Sequence, residues 1–266
     1  MLASLLITLL VSGFSYEFPK ESTHYDVTTV FDGYIPVFGG IEANVRVKFG
    51  MKVNSIEEDK GFPGVEYSLL STEIGIFDDE KKEYSILPLG LMNVKEYFPD
   101  SKVWFDAKGQ IKRTTAPDVE TPVRLPGLHT KHLADVTFLL IEFPDKKIEK
   151  GDSWKYKRKI GESAVEYEVT YIGKSEKGEE FSLTILEEFT GFEDINKNAL
   201  KSKEGAYFEV KTTSKGKGKL IFSGLKGIIL EAELTIDSVS AVLSIENEER
   251  SERKLRSSLN FKKRGN

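Results

Sequence analysis

The stretch Asn44-Val45-Arg46-Val47-Lys48-Phe49-Gly50-Met51-Lys52-Val53 decides the fold. Val45, Val47, Phe49, Met51 and Val53 take every second position, with Asn44, Arg46, Lys48 and Lys52 between them. Successive side chains of an extended backbone point to opposite faces, so this period of two describes a strand with one apolar and one charged face. A strand wetted on one face belongs to an antiparallel sheet. Downstream, Ser68 to Phe77 reads as another strand, Asp78-Asp79-Glu80 as a polar turn and Tyr84-Ser85-Ile86-Leu87 as the return. Val103-Trp104-Phe105 meets Ile111 across Asp106-Ala107-Lys108-Gly109, where glycine supplies the positive φ that closes a hairpin.

The second half repeats the logic. Val165, Tyr167, Val169 and Tyr171 alternate with Glu166, Glu168 and Thr170, and Glu176-Lys177-Gly178 turns into Phe181-Ser182-Leu183-Thr184-Ile185. Phe105 and Gly109 before Ile111 correspond to Phe222 and Gly227 before Ile228, an offset near 117 residues that points to internal duplication of one β-rich unit. Phe192 to Lys203 is polar and suits a short helix or a long loop. Lys215-Gly216-Lys217-Gly218-Lys219 reads as a flexible basic turn. Leu230, Ala232, Leu234 and Ile236, then Val239, Ala241, Leu243 and Ile245, read as two late strands forming a hairpin across Asp237-Ser238.

Between the halves, Pro117, Pro122 and Pro126 interrupt the pattern and mark a linker. Leu128, His132, Leu133, Val136, Leu139 and Leu140 then recur at spacings of three and four, which predicts an amphipathic helix from Gly127 to about Leu140. Val136 to Phe143 serves equally as a strand. The expected fold is mainly β: two similar curved antiparallel sheets or half-barrels with one or two short helices. Residues 1–15 read as a signal peptide, 16–117 and 151–266 as the two β units, and 118–150 as linker and helix.

The signal-peptide reading rests on Leu5-Leu6-Ile7-Thr8-Leu9-Leu10-Val11, followed by small residues at Ser12, Gly13 and Ser15, with Val11/Gly13 or Gly13/Ser15 as cleavage pairs. No Lys or Arg precedes the run. It is too short to span a bilayer, and no later segment approaches 18 uncharged apolar residues, so the expected setting is periplasmic or secreted with no transmembrane span.

Composition narrows the functions. In 266 residues, 39% hydrophobic content suffices for a real core and argues against a disordered chain. Thirty-eight Lys+Arg against 43 Asp+Glu, net -5, lacks the basic footprint of a general nucleic-acid binder. Zero Cys excludes disulfides, a thiolate nucleophile, Cys-based zinc and a lipid-modified cysteine. A single Gln (Gln110) and three Met beside 30% charged residues suit a protein that works hot. Between Arg250 and Asn266, seven Lys and Arg face only Glu252, a basic tail that fits either an anionic lipid surface or an edge strand guarded against aggregation.

Two constellations stand out. His129, His132 and Asp135 lie three residues apart, so on a helix they offer two imidazoles and a carboxylate to a metal; solvated polar residues are the competing reading. Gly151-Asp152-Ser153-Trp154 suits a turn whose side chains bond the local backbone, with Trp154 opening a strand and packing inward. No glycine two residues past Ser153 completes a nucleophile elbow. The acidic runs (Asp78, Asp79, Glu80; Glu187, Glu188; Glu193, Asp194) read as solvated turns, and no phosphate loop, dinucleotide fingerprint or complete calcium loop appears. Hence no catalytic residue and no cofactor is expected.

The segment Phe143-Pro144-Asp145-Lys146-Lys147-Ile148-Glu149-Lys150-Gly151-Asp152-Ser153-Trp154 resembles a family of uncharacterised exported bacterial proteins, in which phenylalanine-proline and glycine-aspartate-serine/threonine-tryptophan separate two β-rich halves. The resemblance covers roughly Tyr25 to Phe261. It implies curved antiparallel sheets and carries no activity or catalytic residues. The functional expectation is a non-catalytic protein holding a hydrophobic, lipid-like ligand or an envelope partner between curved sheets. The alternatives are an envelope scaffold acting through edge strands, and a metal-assisted hydrolase built on His129, His132 and Asp135.

Overall fold

The computed structural model describes residues 13–35, 40–87, 100–115, 138–160, 163–197, 199–200 and 202–265. Its N-terminal strands are β1 (Ser15–Tyr16), β2 (Thr23–Ile35), β3 (Ile41–Asp59), β4 (Phe62–Asp78), β5 (Glu83–Ile86), β6 (Ser101–Phe105) and β7 (Ile111–Thr114). The C-terminal strands are β8 (Ser153–Ile160), β9 (Ser163–Lys174), β10 (Glu179–Glu193), β11 (Ala199–Leu200), β12 (Phe208–Phe222), β13 (Lys226–Gly227), β14 (Ile229–Ser244) and β15 (Arg250–Lys263). No helix occurs among the described residues, so none there is long and apolar enough to cross a membrane.

All strands but β1 and β13 belong to one antiparallel sheet in the order β7-β6-β4-β3-β2-β15-β14-β12-β10-β9-β8, with β5 added to β4 and β11 to β10. Neighbours on this path follow one another in sequence with one exception. β15 pairs with β2, from Leu255↔Gly33 to Lys263↔Tyr25, and so joins the two ends of the chain. The chain walks outward from β2 to one edge at β7, crosses to the other edge at β8 and returns to the middle. The mainly β, antiparallel expectation holds, and the two expected units are halves of a single sheet.

That sheet is rolled. Nine strand spacings separate β6 from β8, about 43 Å were the sheet flat. Yet Phe105 of β6 packs on Tyr16 (ring centroids 6.1 Å apart), Tyr16 on Phe143 (5.6 Å) and Phe143 on Trp154 of β8 (6.3 Å). The outer rings are therefore no more than about 18 Å apart, and the two edges approach across a trough without pairing. Register shifts at Gly50/Met51, Glu180/Phe181 and Ile221/Phe222 bend the strands, as bulges do.

Three sequence expectations give way. Lys215 to Lys219 is no turn but the middle of β12: Gly216 and Gly218 face inward, where an added Cβ would meet Ile236 Cγ1 at 3.0 Å and Leu234 Cδ2 at 2.3 Å. Gly216 makes room for neighbouring side chains and Gly218 also for the backbone of β14, where Glu233 O would lie 2.1 Å from an added Cβ, and the three lysines point out. Asp237-Ser238 is no hairpin; β14 runs straight through it, paired along its length with β12 and β15, because no Gly or Pro breaks it and Ser238 Oγ bonds Ser214 Oγ at 2.9 Å. The basic C-terminal segment is β15, a central strand, whose outward Arg256 and Lys262 pair with Asp237 (2.9 Å) and Glu231 (3.5 Å).

The turns match the chemistry read for them. Asp78 Oδ1 accepts the amides of Glu80 and Lys81, and these bonds hold its carboxyl below the usual range. Gly109 closes β6 to β7 at φ +89°, with Asp106 Oδ1 accepting the Lys108 and Gln110 amides.

Candidate functional site

The two ends of the trough differ. At one end, where Val53, Phe105, Trp154, Phe181, Phe222 and Ile229 lie, the interior is plugged by two chain segments. The first is Phe14 to Phe18. β1 pairs with β13 in parallel, Tyr16 N donates to Ala107 O (2.7 Å), and the Tyr16 ring stands edge-on against both Phe105 and Phe222, the two residues set in correspondence by the sequence. Phe14 packs on Phe143, Tyr171 and Phe181 at 5.1–5.5 Å.

The second segment is Phe138 to Phe143. Residues 138–140 belong to the expected helix but are not helical; the remainder of that helix, 127–137, lies outside the described residues. Phe138, Leu139, Leu140 and Ile141 are all 0% exposed although they join no strand. Buried backbone needs partners, and here four side chains and one backbone carbonyl supply them. Arg158 Nη1 donates to Leu139 O (2.9 Å), Tyr156 OH to Leu140 O, and Trp154 Nε1 to Glu142 O (2.7 Å), while Ile141 N donates to Tyr16 OH (3.1 Å) and Phe143 N to Lys108 O (2.8 Å). Arg158 Nε also meets Glu142 Oε1 at 2.8 Å, side chains 6% and 15% exposed. These side-chain bonds explain why the segment lies extended rather than coiled into a helix.

The tetrad Gly151 to Trp154 anchors this arrangement. Gly151 adopts φ +94° and donates to Tyr171 O (2.8 Å), Asp152 Oδ2 accepts the Glu149 amide (3.0 Å), and Ser153 Oγ bonds Thr170 Oγ1 (2.7 Å). Trp154 then enters β8 with its ring on Phe143 and Phe181.

At the far end β2 ends at Ile35 and β3 begins at Ile41, β10 ends at Glu193 and β12 begins at Phe208, and β14 ends at Ser244 and β15 begins at Arg250. In the N-terminal half, Ile41, Ala43, Val45 and Val47 continue the inward alternation of Phe49 and Val53, and Ile74 and Ile76 stand opposite Val47 and Val45. All six are half-buried, whereas Phe49, Met51 and Val53 on the same strand are buried. In the C-terminal half, an ion pair crosses the concave face. Arg253 Nη1 meets both oxygens of Glu193 at 2.8 Å, side chains 12% and 11% exposed, although β14 and β12 lie between their strands. Three spacings on a flat sheet would be about 14 Å, so the pair measures how tightly the sheet curls here. The Arg253 guanidinium also lies 4.4 Å from the Tyr34 ring centre. Beneath the crossing, inner positions are small and polar: Thr212 bonds Ser240 (2.8 Å) and Ser214 bonds Ser238 (2.9 Å).

Burial pushes the phenols of Tyr16, Tyr25 and Tyr156 far above their ordinary range. Tyr171 is pushed up to about 12, first by burial and then by its bond to Glu179. His129, His132 and Asp135 lie outside the described residues. Of the residues that hold the trough together, Arg158, Glu142 and Arg253 belong to no site motif, and Glu193, read with Glu187 and Glu188 as a solvated acidic turn, lies instead in β10, 8% exposed and paired with Arg253. Their only trace in the sequence is position: Arg253 shares the alternation of Leu255 and Leu259, and Glu193 that of Phe181 and Leu183.

No protein-family model matches the chain, and no curated protein does. A solved structure of lipovitellin that addresses lipid–protein interactions is similar over 93% of this chain, with TM-score 0.52 and 10% identity. The chain spans 25% of that lipovitellin chain, and at this identity the likeness is one of fold.

Proposed function

We propose that this protein is a non-catalytic carrier of a hydrophobic, lipid-like ligand, held at the far end of the trough against Ile41, Ala43, Val45, Val47, Ile74 and Ile76. The observation that carries the reading is this stripe: six apolar side chains on the concave face, left half-buried while the same strand is buried at the plugged end. A concave apolar surface with few polar groups is the usual form of a small-molecule site. The lipovitellin-like fold supports it. The apolar run Leu5 to Val11 supports an exported, extracytoplasmic setting, and of the two cleavage pairs Val11/Gly13 is the one that leaves Phe14 and Ser15 in the plug.

The scaffold alternative needs a receptive sheet edge. β8 offers a row of Lys155, Lys157 and Lys159 at one edge, a charge pattern that opposes strand addition.

The test is binding of the neutral apolar dye N-phenyl-1-naphthylamine to the full chain, read by fluorescence. The wild type binds, and Val45→Lys or Ile74→Lys weakens binding by about 10-fold or more, since each places a charge in the stripe. No binding by the wild type, or equal binding by both variants, overturns the reading. Native mass spectrometry of protein purified from its source without detergent then identifies the cargo.

A further inference from the structure

Among the described residues the interior holds two hydrophobic clusters rather than one. The larger fills the plugged end, and the smaller, Phe31, Ile35 and Leu255 with neighbours on β3, lies at the far end. A polar band winds between them. Thr72 on β4 stands opposite Phe49, which faces Val27 on β2. Thr29 is the next inner residue of β2 toward the far end. Ser257 on β15 stands opposite Phe31, one inner position further, and Ser238 on β14 opposite Leu255, one further still, with Ser214 of β12 beside it. From β2 through β15 to β14 the band climbs by one inner residue per strand.

Ser214 and Ser238 satisfy each other. Thr72 Oγ1, Thr29 Oγ1 and Ser257 Oγ are shielded from water and have no hydrogen-bond partner among the described residues. Thr29 and Ser257 are 3% and 4% exposed. A buried hydroxyl without a partner costs about 1–3 kcal/mol, and valine or alanine at these positions would avoid that. Three such groups on one band, beside a half-buried apolar stripe, form an unused set of donors and acceptors.

Resting on the hydrophobic-ligand reading, we infer that the ligand is an uncharged amphiphile, a long-chain alcohol, amide or ester. Its polar end is turned inward onto Thr29 and Ser257, and its hydrocarbon lies along the far-end stripe. Binding displaces the side chains that shield the two hydroxyls. Among the described residues the band offers hydroxyls and no free cation: the inward arginines Arg158 and Arg253 already meet Glu142 and Glu193. A carboxylate or phosphate carried to this depth would lack a counter-charge, which makes it far more costly to bury than a neutral group.

The experiment displaces N-phenyl-1-naphthylamine from the full chain with 1-decanol, decane and decanoate at pH 8. Decanol competes at least about 10-fold better than decanoate, the equivalent of about 1.4 kcal/mol. The double variant Thr29→Val/Ser257→Ala loses about 10-fold in decanol affinity, keeps its decane affinity and melts at a higher temperature than the wild type. Thr29→Ser, which keeps the hydroxyl, retains the preference for decanol. Should the dye bind while decanoate matches decanol, or while the decanol-to-decane ratio is unchanged in the double variant, the inward-head inference is overturned and the carrier reading stands. If Thr29→Ser loses the preference as fully as the valine variant, the effect is packing and the inference also fails. If neither dye nor decane binds the wild type, the carrier reading falls and takes the inference with it.

Discussion

The plugged end and the far end of the trough share the long strands β2, β3, β4, β10, β12, β14 and β15, yet they solve opposite problems. At the plugged end the alternating apolar face continues into rings, and every group of the buried segment from Leu139 to Phe143 for which a partner is known finds it on a facing side chain or turn. At the far end the apolar face continues on β3 and β4 but is only half-covered, while on β12, β14 and β15 it gives way to hydroxyls and one crossing ion pair. Apolar packing is concentrated at one end, which leaves the other half-covered, as binding surfaces are.

Mutations can break that contrast. Phe143→Ala removes a ring that touches Phe14, Tyr16, Trp154, Phe181 and Phe222, and the expected loss is about 3–5 kcal/mol in denaturant unfolding. Val45→Ala at the far end is expected to cost less than about 1 kcal/mol; equal losses at the two sites would erase the distinction. Arg158→Ala leaves Glu142 buried beside an unpaired Leu139 carbonyl, and about 3 kcal/mol is expected to go with it. Trp154→Phe keeps the ring contacts but drops the bond to Glu142 O, a loss of about 1–2 kcal/mol by the same measurement.

The smallest effect at neutral pH is that of the phenols. Tyr16, Tyr25 and Tyr156 hold their protons more tightly in the folded chain than the unfolded phenol, whose pKa is about 10. Their contribution is complete below pH 10. It is lost as pH rises above that value, because the unfolded chain then releases protons that the folded chain keeps. Each phenol adds a slope of up to about 1.4 kcal/mol per pH unit. Denaturant midpoints that stay level from pH 10 to 11 would show that the plugged end admits water.

Much of this sheet can be read in the sequence where the alternation is strict. Val45 to Val53 and Val165 to Tyr171 lie on strands facing as their pattern says, and the Asp78 and Asp106 turns carry their own hydrogen-bonding chemistry. The sequence misleads where the parity of the apolar residues changes. From Leu230 to Ile236 they take even positions, and from Val239 to Ile245 odd ones, which suggests a break at Asp237-Ser238. The strand continues instead, so Ser238 and Ser240 inherit inner positions and Val239 is left 40% exposed. That parity slip signals the part of the polar band on β14. The roll of the sheet has no local signal, since it depends on Tyr16, Phe143 and Trp154 meeting from three distant parts of the chain. Neither does the Arg253–Glu193 pair, which only the curl brings together.

The seam between β2 and β15 bears on how the molecule is made. Arg264 and Asp26, which bond beside that seam, are 238 residues apart in sequence, whereas every other pairing within the large sheet joins strands that are consecutive or separated by one short strand. The central hydrogen bonds of the sheet are therefore unavailable until the last strand has left the ribosome, and until then β2 presents an unpaired edge. Loop closure on this scale is slow. The rate-limiting event of folding is expected to be the zipping of this seam, with the local hairpins of both halves already formed and waiting on either side.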